Sequence, residues 1–536
     1  MTSVCRTEVD QYGTVYDPPY NALSYTWGRF TTAKGPSIGV SGVSWLVPSI
    51  DARHFSVDNF RHVLHAIAPS SGYVWVDVAC IDQYDTRVKM DEVGKQGDIF
   101  RRATNVFVWL PHHDTPTLTS VLGQIDDFTR VLESCNVRES DFEYDDQEVL
   151  GIIHSKVGSM RVVAEQLLLD PWFSSLWTLQ EAYLRDDAVL LSQSGEAISR
   201  PNGLPPRTLR NLIGDFQTIK LVLSPYGTTS SSLKALLAVV ESSGLINIDI
   251  SMQAPMLLYS AAHFRTCSEE LDRVYGIMQV YGLRLGASKQ PERSFSLDEL
   301  EDQLAAELNK ISPTAAQLFI HMKPPPIRKG WRVTKDCTMP EIYYLAGEMG
   351  ARCTISFNES VQPRYVGRIC SLTALRDFWL NATAYRETRF SIKTQHPQIV
   401  WSHYQVNIDL DADQSSGAED IKSFRMAKQP QRSCPCSSCR LRDPQGQDGL
   451  DRFVSLLAFP VRQYSVLLLG KTSLYHFMGG QHGYSVMAWA GLLAIRDDGT
   501  NPESWHRVGI CSWEAGEGTL KAVHDELWND HDCFLT

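Results

Sequence analysis

The run NVFVWL at residues 105–110 is apolar at every position after its first residue. A short, near-continuous apolar run of this kind is typical of a strand buried on both faces of a sheet. YVWVDVAC at residues 73–80 shows the same pattern, and AVLLS at 188–192 predicts a last strand. YNALSYTWG at 20–28 predicts a first strand that ends at a glycine. These runs predict the strands of one sheet.

Helical patterns separate the predicted strands. Ser56 can cap a helix in which four apolar residues recur at i, i+3, i+4 and i+7, namely Phe60, Val63, Leu64 and Ile67. Residues 88–103 and the stretch PWFSSLWTLQEAYLR at 171–185 are also predicted to be helical. Strands that alternate with helices predict an α/β fold with an open, mostly parallel sheet and flanking helices.

The pattern changes along the 536 residues, which are too many for one core. We predict an α/β domain at residues 1–195, in which residues 111–170 form an acidic, largely helical insert. A helical region is predicted at 196–325, and a β-rich C-terminal domain at 326–536. Within that domain, residues 428–449 read as a polar loop that contains cysteines.

Composition and charge indicate a soluble protein without a nucleic-acid partner. The formal net charge is −12, and there is no long basic run. The first residues, MTSVCRTEVDQYG, have no secretory pattern, and YSVMAWAGLLAI has 12 residues, whereas a membrane span needs about 20. Twelve cysteines scattered through such a chain favour reduced thiols. We therefore expect a cytoplasmic protein without a membrane span.

Ligands of open α/β sheets bind beyond the carboxyl ends of the strands. This rule draws attention to Tyr25, Trp27 and Gly28 after the first strand, and to Asp82 and Gln83 after the second. We predict that these residues line a substrate pocket. Asp77 lies inside the second apolar run, where it is either a pocket residue or, as we favour, a cap or buried hydrogen-bonding hub.

Glu181 is a carboxylate in an otherwise apolar and aromatic stretch. On a helix, Trp172, Leu176, Leu179 and Tyr183 form one apolar stripe, whereas Trp177 and Glu181 stand at i, i+4 on another face. If that face lines a cleft, burial should raise the pKa of Glu181. The alternative is a solvated helix residue beside a half-buried tryptophan.

CPCSSC supplies Cys434, Cys436 and Cys439, which could contribute to a small zinc site. Structural zinc needs four ligands, and no second cysteine pair at standard spacing is present. An unstructured surface loop is the favoured interpretation, and we expect no metal cofactor.

Four ordered blocks in this chain resemble the HET domain, the module of fungal heterokaryon incompatibility proteins. They are YNALSYTWG, VWVDVACIDQYD, IFRRATNVFVWL and PWFSSLWTLQEAYL, and LDRVYGIMQVYG is similar to a segment that often follows. Three features depart from the family pattern. Ser175 stands where an arginine is common, Arg87 and Val88 replace an acidic pair, and Glu92 replaces a glutamine.

The HET domain is similar in turn to TIR domains, although distantly. In catalytically active TIR domains a tryptophan precedes, by four residues, the glutamate that serves NAD⁺ cleavage. Trp177 and Glu181 reproduce this spacing. The resemblance implies an NAD⁺ glycohydrolase with Glu181 as the catalytic residue and Trp177 beside the nicotinamide.

The family resemblance also implies non-self recognition, or vegetative incompatibility, that ends in regulated cell death. It implies other incompatibility or receptor proteins as partners, and self-association through the HET domain. Two alternatives remain open at this point. The domain could be a non-catalytic interaction module, or the chain could serve another role, which the departures from the family pattern keep open.

Overall fold

The computed structural model describes most of the chain. The described residues are 8–9, 15–16, 18–26, 30–31, 40, 43, 45–51, 54–69, 72–139, 146–224, 230–248, 255–340, 347–358, 362–385, 405–412, 423–427, 457, 460–477, 483–496, 504–514 and 524–536. The chain forms two compact units. Unit 1 comprises Met1–Ile248 and Phe264–Leu300, and unit 2 comprises Asp249–His263 and Glu301–Thr536. The three-part division drawn from the sequence stays a prediction.

Unit 1 contains eight described strands and eleven described helices that lie in it wholly or in part. The strands are β1 (Glu8–Val9), β2 (Val15–Tyr16), β3 (Asn21–Ser24), β4 (Phe30–Thr31), β5 (Ser49–Ile50), β6 (Val74–Trp75), β7 (Val106–Trp109) and β8 (Val189–Leu191). The helices are α1 (Val57–Ile67), α2 (Asp77–Cys80), α3 (Thr86–Val93), α4 (Gln96–Arg102), α5 (Thr115–Glu139), α6 (Asp146–Leu168), α7 (Leu176–Leu184), α8 (Leu209–Leu223), α9 (Ser231–Ser242), α11 (Asp272–Met278) and the first residues of α12 (Leu297–Ile311).

The central sheet of unit 1 has four strands in the order β6-β3-β7-β8. All three pairings are parallel, and Ala22 of β3 lies beside both Trp75 of β6 and Val106 of β7. The predicted parallel sheet with helices is therefore confirmed. A specifically TIR-like arrangement stays a prediction.

Helix α1 forms as its sequence pattern predicts. Ser56 accepts a hydrogen bond from the backbone N–H of Asn59 at 3.0 Å, which satisfies one of the donors that a helix start leaves open. The four apolar residues of the stripe are all buried. Helices α5 and α6 lie within residues 111–170, and the assignment of this stretch as an insert stays a prediction.

The strand prediction for residues 73–80 is wrong in its second half. The strand ends at Trp75, and Asp77 opens the short helix α2. The backbone N–H of Cys80 donates to the carbonyl of Val76 at 2.9 Å, and the side chain of Asp77 accepts from the N–H of Val78. Residues 76, 78 and 79 are buried nevertheless, so the run is apolar although it is not extended.

The helix predicted for residues 88–103 is divided into α3 and α4. Helix α3 ends at Gly94, whose N–H donates to the carbonyl of Met90. A Cβ atom at this position would lie 2.6 Å from Nε of Arg284, so a larger residue here would displace that side chain.

Unit 2 contains the remaining described elements. The helices are α10 (Pro255–Ala262), the rest of α12, α13 (Pro313–Ala316) and α14 (Leu372–Tyr385). The strands are β9 (Ile320–His321), β10 (Cys337–Thr338), β11 (Gly347–Ala351), β12 (Thr354–Phe357), β13 (Pro363–Ser371), β14 (Gln405–Leu410), β15 (Ser423–Ala427), β16 (Tyr464–Phe477), β17 (Gly483–Arg496), β18 (Ser504–Glu514) and β19 (Asn529–Leu535).

Within the described residues, strands β11 to β19 form one nine-stranded sheet whose pairings are antiparallel except that of β18 with β19. Its core contains several buried tryptophans, among them Trp379 and Trp513. The β-rich character predicted for this region is confirmed. The polar loop at 428–449 lies outside the described residues. In the described part of the chain, no helix has the length and apolar character that crossing a membrane requires.

Candidate active site

Three elements of unit 1 bring polar side chains to the carboxyl edge of the parallel sheet. Strand β3 ends at Ser24, and Tyr25 follows directly. Strand β6 leads into α2, which begins at Asp77. Helix α7 buries Leu176 and Leu179 and places Glu181 on another face. We call Ser24, Tyr25, Asp77 and Glu181 the carboxyl cluster.

Glu181 is held by a chain of hydrogen bonds. The hydroxyl of Ser24 donates to Oε2 of Glu181 at 2.5 Å, and Nε1 of Trp172 donates to the same Ser24 oxygen at 2.8 Å. Burial raises the pKa of Glu181 well above its usual range, although the hydrogen bond from Ser24 opposes the shift, and the nearby charge of Asp77 raises it further. Burial thus favours the protonated form of this carboxyl group.

Asp77 forms the second half of the carboxyl cluster. The hydroxyl of Tyr25 donates to Oδ1 of Asp77 at 2.5 Å, and the N–H of Val78 donates to the same oxygen at 2.6 Å. Burial raises the pKa of Asp77 to about 6, against the lowering effect of these hydrogen bonds. The pKa of Tyr25 is also raised, by burial and then by the charge of Asp77. The favoured interpretation of Asp77 as a hydrogen-bonding hub is confirmed.

The carboxyl cluster forms no ion pair among the described residues, although the charge of Lys89 helps to lower the pKa of Asp77. None of the lysine, arginine or histidine side chains in the described ranges forms an ion pair within 4 Å of Asp77 or Glu181. Hydrogen bonds from hydroxyl and backbone N–H groups stabilise the two carboxyl groups instead. Two acids of this kind, close to one another and desolvated, are typical of sites where protonation is part of function.

Arg265 fixes the turn that precedes α7. It is buried, its guanidinium lies over the ring of Trp172 at 5.8 Å, and Nη1 donates to the carbonyl of Trp172 at 2.9 Å. Burial lowers the pKa of Arg265 to about 9. Because Trp172 in turn donates to Ser24, Arg265 helps to orient the partner of Glu181.

Trp177 is anchored away from this hydrogen-bond chain. Its Nε1 donates to Oδ2 of Asp272 at 2.9 Å, and its ring lies against α11 at Gly276. The indole that reaches the carboxyl cluster is Trp172, which the sequence had assigned to the apolar stripe. A ligand-binding role for Trp177 stays a prediction.

The other predicted site residues fall into two groups. Gln83 lies at the carboxyl cluster, because its Nε2 donates to the carbonyl of Asp77 at 3.2 Å. Asp82 accepts from the N–H groups of Tyr84 and Asp85 and shapes the turn before α3. Trp27 and Gly28 lie outside the described residues, as do the three candidate zinc ligands Cys434, Cys436 and Cys439.

Sequence reasoning did not single out Ser24 as a site residue. The available signal was its position as the last residue of the first strand of the parallel sheet, at the ligand edge. Among the described residues, no group of three or more histidine, cysteine or acidic side chains could hold a metal ion.

The parallel sheet and its carboxyl-edge cluster fall within a stretch that matches a known family. Residues 20–181 match the sequence profile of the heterokaryon incompatibility protein (HET) family. The chain thus carries a HET domain, and the matched stretch begins just before β3 and ends at Glu181.

The chain is also similar to heterokaryon incompatibility protein 6, OR allele, of Neurospora crassa. The two are 22% identical over 412 residues, which are 68% of this chain and 55% of that relative. The chain thus spans about half the length of the curated relative. No solved structure matches the chain.

Proposed function

We propose that the HET domain of this chain cleaves the nicotinamide–ribose bond of NAD⁺, with Glu181 as the catalytic residue. The observation that carries the proposal is a partly buried, desolvated carboxyl group without an ion pair among the described residues, at the carboxyl edge of a parallel sheet. Such a group attracts a positively charged substrate, and the nicotinamide ring of NAD⁺ carries a positive charge.

The reaction needs little besides charge stabilisation and a water molecule. As the C1′–N bond breaks, its electron pair neutralises the nicotinamide ring, and positive charge develops on the ribose. A fixed carboxylate stabilises that charge, as carboxylates do in glycoside hydrolysis. Water then bonds to C1′ and gives up a proton, which the Glu181 carboxylate accepts.

The raised pKa of Glu181 fits this sequence of events. In the unliganded site the neutral acid is favoured by burial and by the charge of Asp77. A bound cation lowers the pKa of a neighbouring carboxyl group, so the substrate itself promotes the ionised form. Ser24 holds the carboxyl group in place, and Trp172 holds Ser24.

The biological role that we propose is fungal non-self recognition leading to regulated cell death. Its support is the HET domain and the similarity to a protein named for heterokaryon incompatibility. The proposed partners are other incompatibility or receptor proteins, and self-association through a TIR-like HET domain is the proposed trigger.

A direct test is to incubate the purified chain, at concentrations that favour self-association, with NAD⁺ and to measure free nicotinamide. Replacing Glu181 by glutamine should lower the rate roughly 100-fold or more, since the charge that meets the transition state is lost. The matched control is Glu165→Gln, on the half-exposed surface of α6. No nicotinamide release by the wild-type chain, or equal release by Glu181→Gln, would refute the catalytic proposal.

A second candidate function is a non-catalytic interaction module. The observation that favours it is that both acids already have hydrogen-bond partners inside the domain, as a purely structural network requires. Cell-death activity that persists in fungal cells expressing Glu181→Gln would support this second candidate.

A further inference from the structure

A cavity of about 620 Å³ lies in unit 1 at the carboxyl ends of β7 and β8. Asp114 and Thr115, at the start of α5, form one wall, and Gln193, Ser194 and Glu196, in the turn after β8, form the other. The volume is in the range of small-molecule sites. The cavity opens at the same edge of the sheet as the carboxyl cluster, where ligands of open α/β sheets bind.

The walls of the cavity carry hydroxyl and carboxylate groups. The hydroxyl of Thr115 donates to Oε2 of Glu196 at 2.6 Å and lies 3.1 Å from the hydroxyl of Ser194. Hydrogen bonds from the side chain and N–H of Thr117 keep the pKa of Asp114 below its usual range, so this acid is ionised. Two acidic side chains beside a set of hydroxyl groups match the vicinal diol of a ribose, for which an acidic residue is the usual acceptor in dinucleotide sites.

The register of the sheet gives the distance between this cavity and the carboxyl cluster. Ser24 of β3 lies beside Val108 of β7, and Val108 lies beside Leu190 of β8. The two sites are therefore two strands apart, which is about 10 Å. A pyrophosphate separates the two riboses of a dinucleotide on this scale.

Two imidazoles lie near the strand between the two sites. His112 follows β7 and is exposed, and its ring stacks on that of His54 with centroids 6.1 Å apart. Imidazole N–H groups donate hydrogen bonds to phosphate oxygens. The edge of the sheet thus offers, in order, a carboxyl cluster, an imidazole pair and a diol-binding cavity.

We propose that the cavity at β7 and β8 binds the adenosine ribose of NAD⁺, with Glu196 accepting hydrogen bonds from its 2′ and 3′ hydroxyls. The dinucleotide then lies across the sheet edge, with the nicotinamide ribose at Glu181. This assignment rests on the proposed function for the identity of the substrate, but the ribose site can be tested without turnover.

The binding test uses ADP and 2′-deoxy-ADP as probes, measured by isothermal titration calorimetry. Glu196→Ala should weaken the binding of ADP about tenfold or more, because the hydrogen bonds from both ribose hydroxyls to Glu196 are lost. It should affect 2′-deoxy-ADP much less. Thr119→Tyr, which fills the cavity from α5, should weaken both ligands, whereas Glu165→Ala should weaken neither. No ADP binding by the wild-type chain, or equal ADP affinity in Glu196→Ala, would overturn the assignment.

A turnover test separates this assignment from the proposed function. Nicotinamide mononucleotide lacks the adenosine half, so Glu196→Ala should raise KM for NAD⁺ about tenfold and leave the cleavage of the mononucleotide unchanged. If ADP binds as expected but neither substrate is cleaved, catalysis is refuted and the cavity remains a nucleotide site. If both substrates are cleaved with unchanged KM in Glu196→Ala, catalysis stands and the ribose assignment falls.

Discussion

Two groups of acids, buried in unit 2 and partly buried in unit 1, are compensated in opposite ways. In unit 2, Arg332 pairs with Glu301 at 3.1 Å and with Asp302 at 3.0 Å, and Lys329 contacts Asp302 as well. In unit 1, Asp77 and Glu181 have only hydroxyl and backbone N–H donors among the described residues. The two acids of unit 2 are neutralised by ion pairs. The two acids of unit 1 form no ion pair among the described residues, and burial instead favours their protonated forms.

This difference separates an acid that stabilises from an acid that is available for chemistry. A buried acid paired with an arginine has little reason to bind a proton or a cationic ligand. A buried acid without a cation costs stability, and such costs are concentrated at functional sites. The pairing state of the acids, rather than their burial, marks the carboxyl cluster as the candidate site.

The largest expected effect on stability is at the ion-paired acids of unit 2. Arg332→Ala leaves Glu301 and Asp302 buried with less positive charge, so the free energy of unfolding should fall by about 3–5 kcal/mol. Guanidinium denaturation followed by tryptophan fluorescence measures this change. The matched control is Arg364→Ala, which removes the exposed pair with Asp532 and should cost less than about 1 kcal/mol. Equal losses in both variants would remove the contrast between the units.

The next effect is on the pH dependence of stability, through Asp77. The pKa of Asp77 rises from its ordinary value of 3.8 to about 6 in the folded chain. Between pH 3.8 and about 6, the folded state therefore binds more protons than the unfolded state does. Stability therefore falls as the pH rises from about 4 to about 6, by up to roughly 3 kcal/mol. Asp77→Asn should remove the share of this decline that Asp77 contributes, whereas Asp58→Asn, at the exposed start of α1, should preserve the full decline. A wild-type Tm that rises over this interval in the same way for all three proteins would contradict the prediction.

A smaller effect is expected at Tyr25. Tyr25→Phe deletes the hydroxyl that donates to Asp77, which should cost about 1 kcal/mol of unfolding free energy. The same hydrogen bond lowers the pKa of Asp77, so its loss should raise that pKa further. Titration of the Asp77 carboxyl carbon by NMR measures the shift. An unchanged or lower pKa would show that the hydroxyl does not stabilise the ionised acid.

The smallest expected effect on stability is at Glu181 itself. Glutamine has nearly the same shape and can still accept the hydrogen bond from Ser24. It lacks the ionisable group whose burial is unfavourable, so Glu181→Gln should change the free energy of unfolding by less than about 1 kcal/mol, or raise it. A loss of several kcal/mol would place Glu181 among structural acids such as Asp302.

The sequence predicted those helices and strands that are determined by neighbouring residues. Helix α1 follows from its cap and its apolar spacing, and β7 follows from one apolar run. The end of β6 was not predictable, because residues 76, 78 and 79 are buried in a helix and in a strand alike. The apolar pattern of residues 73–80 therefore does not show whether the backbone is extended or helical.

Only part of the candidate site was predictable, because its side chains come from distant parts of the sequence. Glu181 was identified as unusual because it interrupts an aromatic stretch. Its partner Ser24 is 157 positions away in the sequence, and Tyr25 reaches Asp77 across 52 positions. Such pairings arise from the order of strands in the sheet, which no local pattern encodes. The anchoring of Trp177 by Asp272, 95 positions later, escaped the sequence for the same reason.

The central claim is that Glu181 is a catalytic residue that contributes little to the stability of the folded chain. Its most direct test measures unfolding and nicotinamide release on the same preparations of the wild-type chain and Glu181→Gln. We predict that Glu181→Gln unfolds at the same or a higher guanidinium concentration and releases nicotinamide from NAD⁺ roughly 100-fold more slowly or not at all. A variant that releases nicotinamide at the wild-type rate, or that loses activity only because it has unfolded, would contradict the claim.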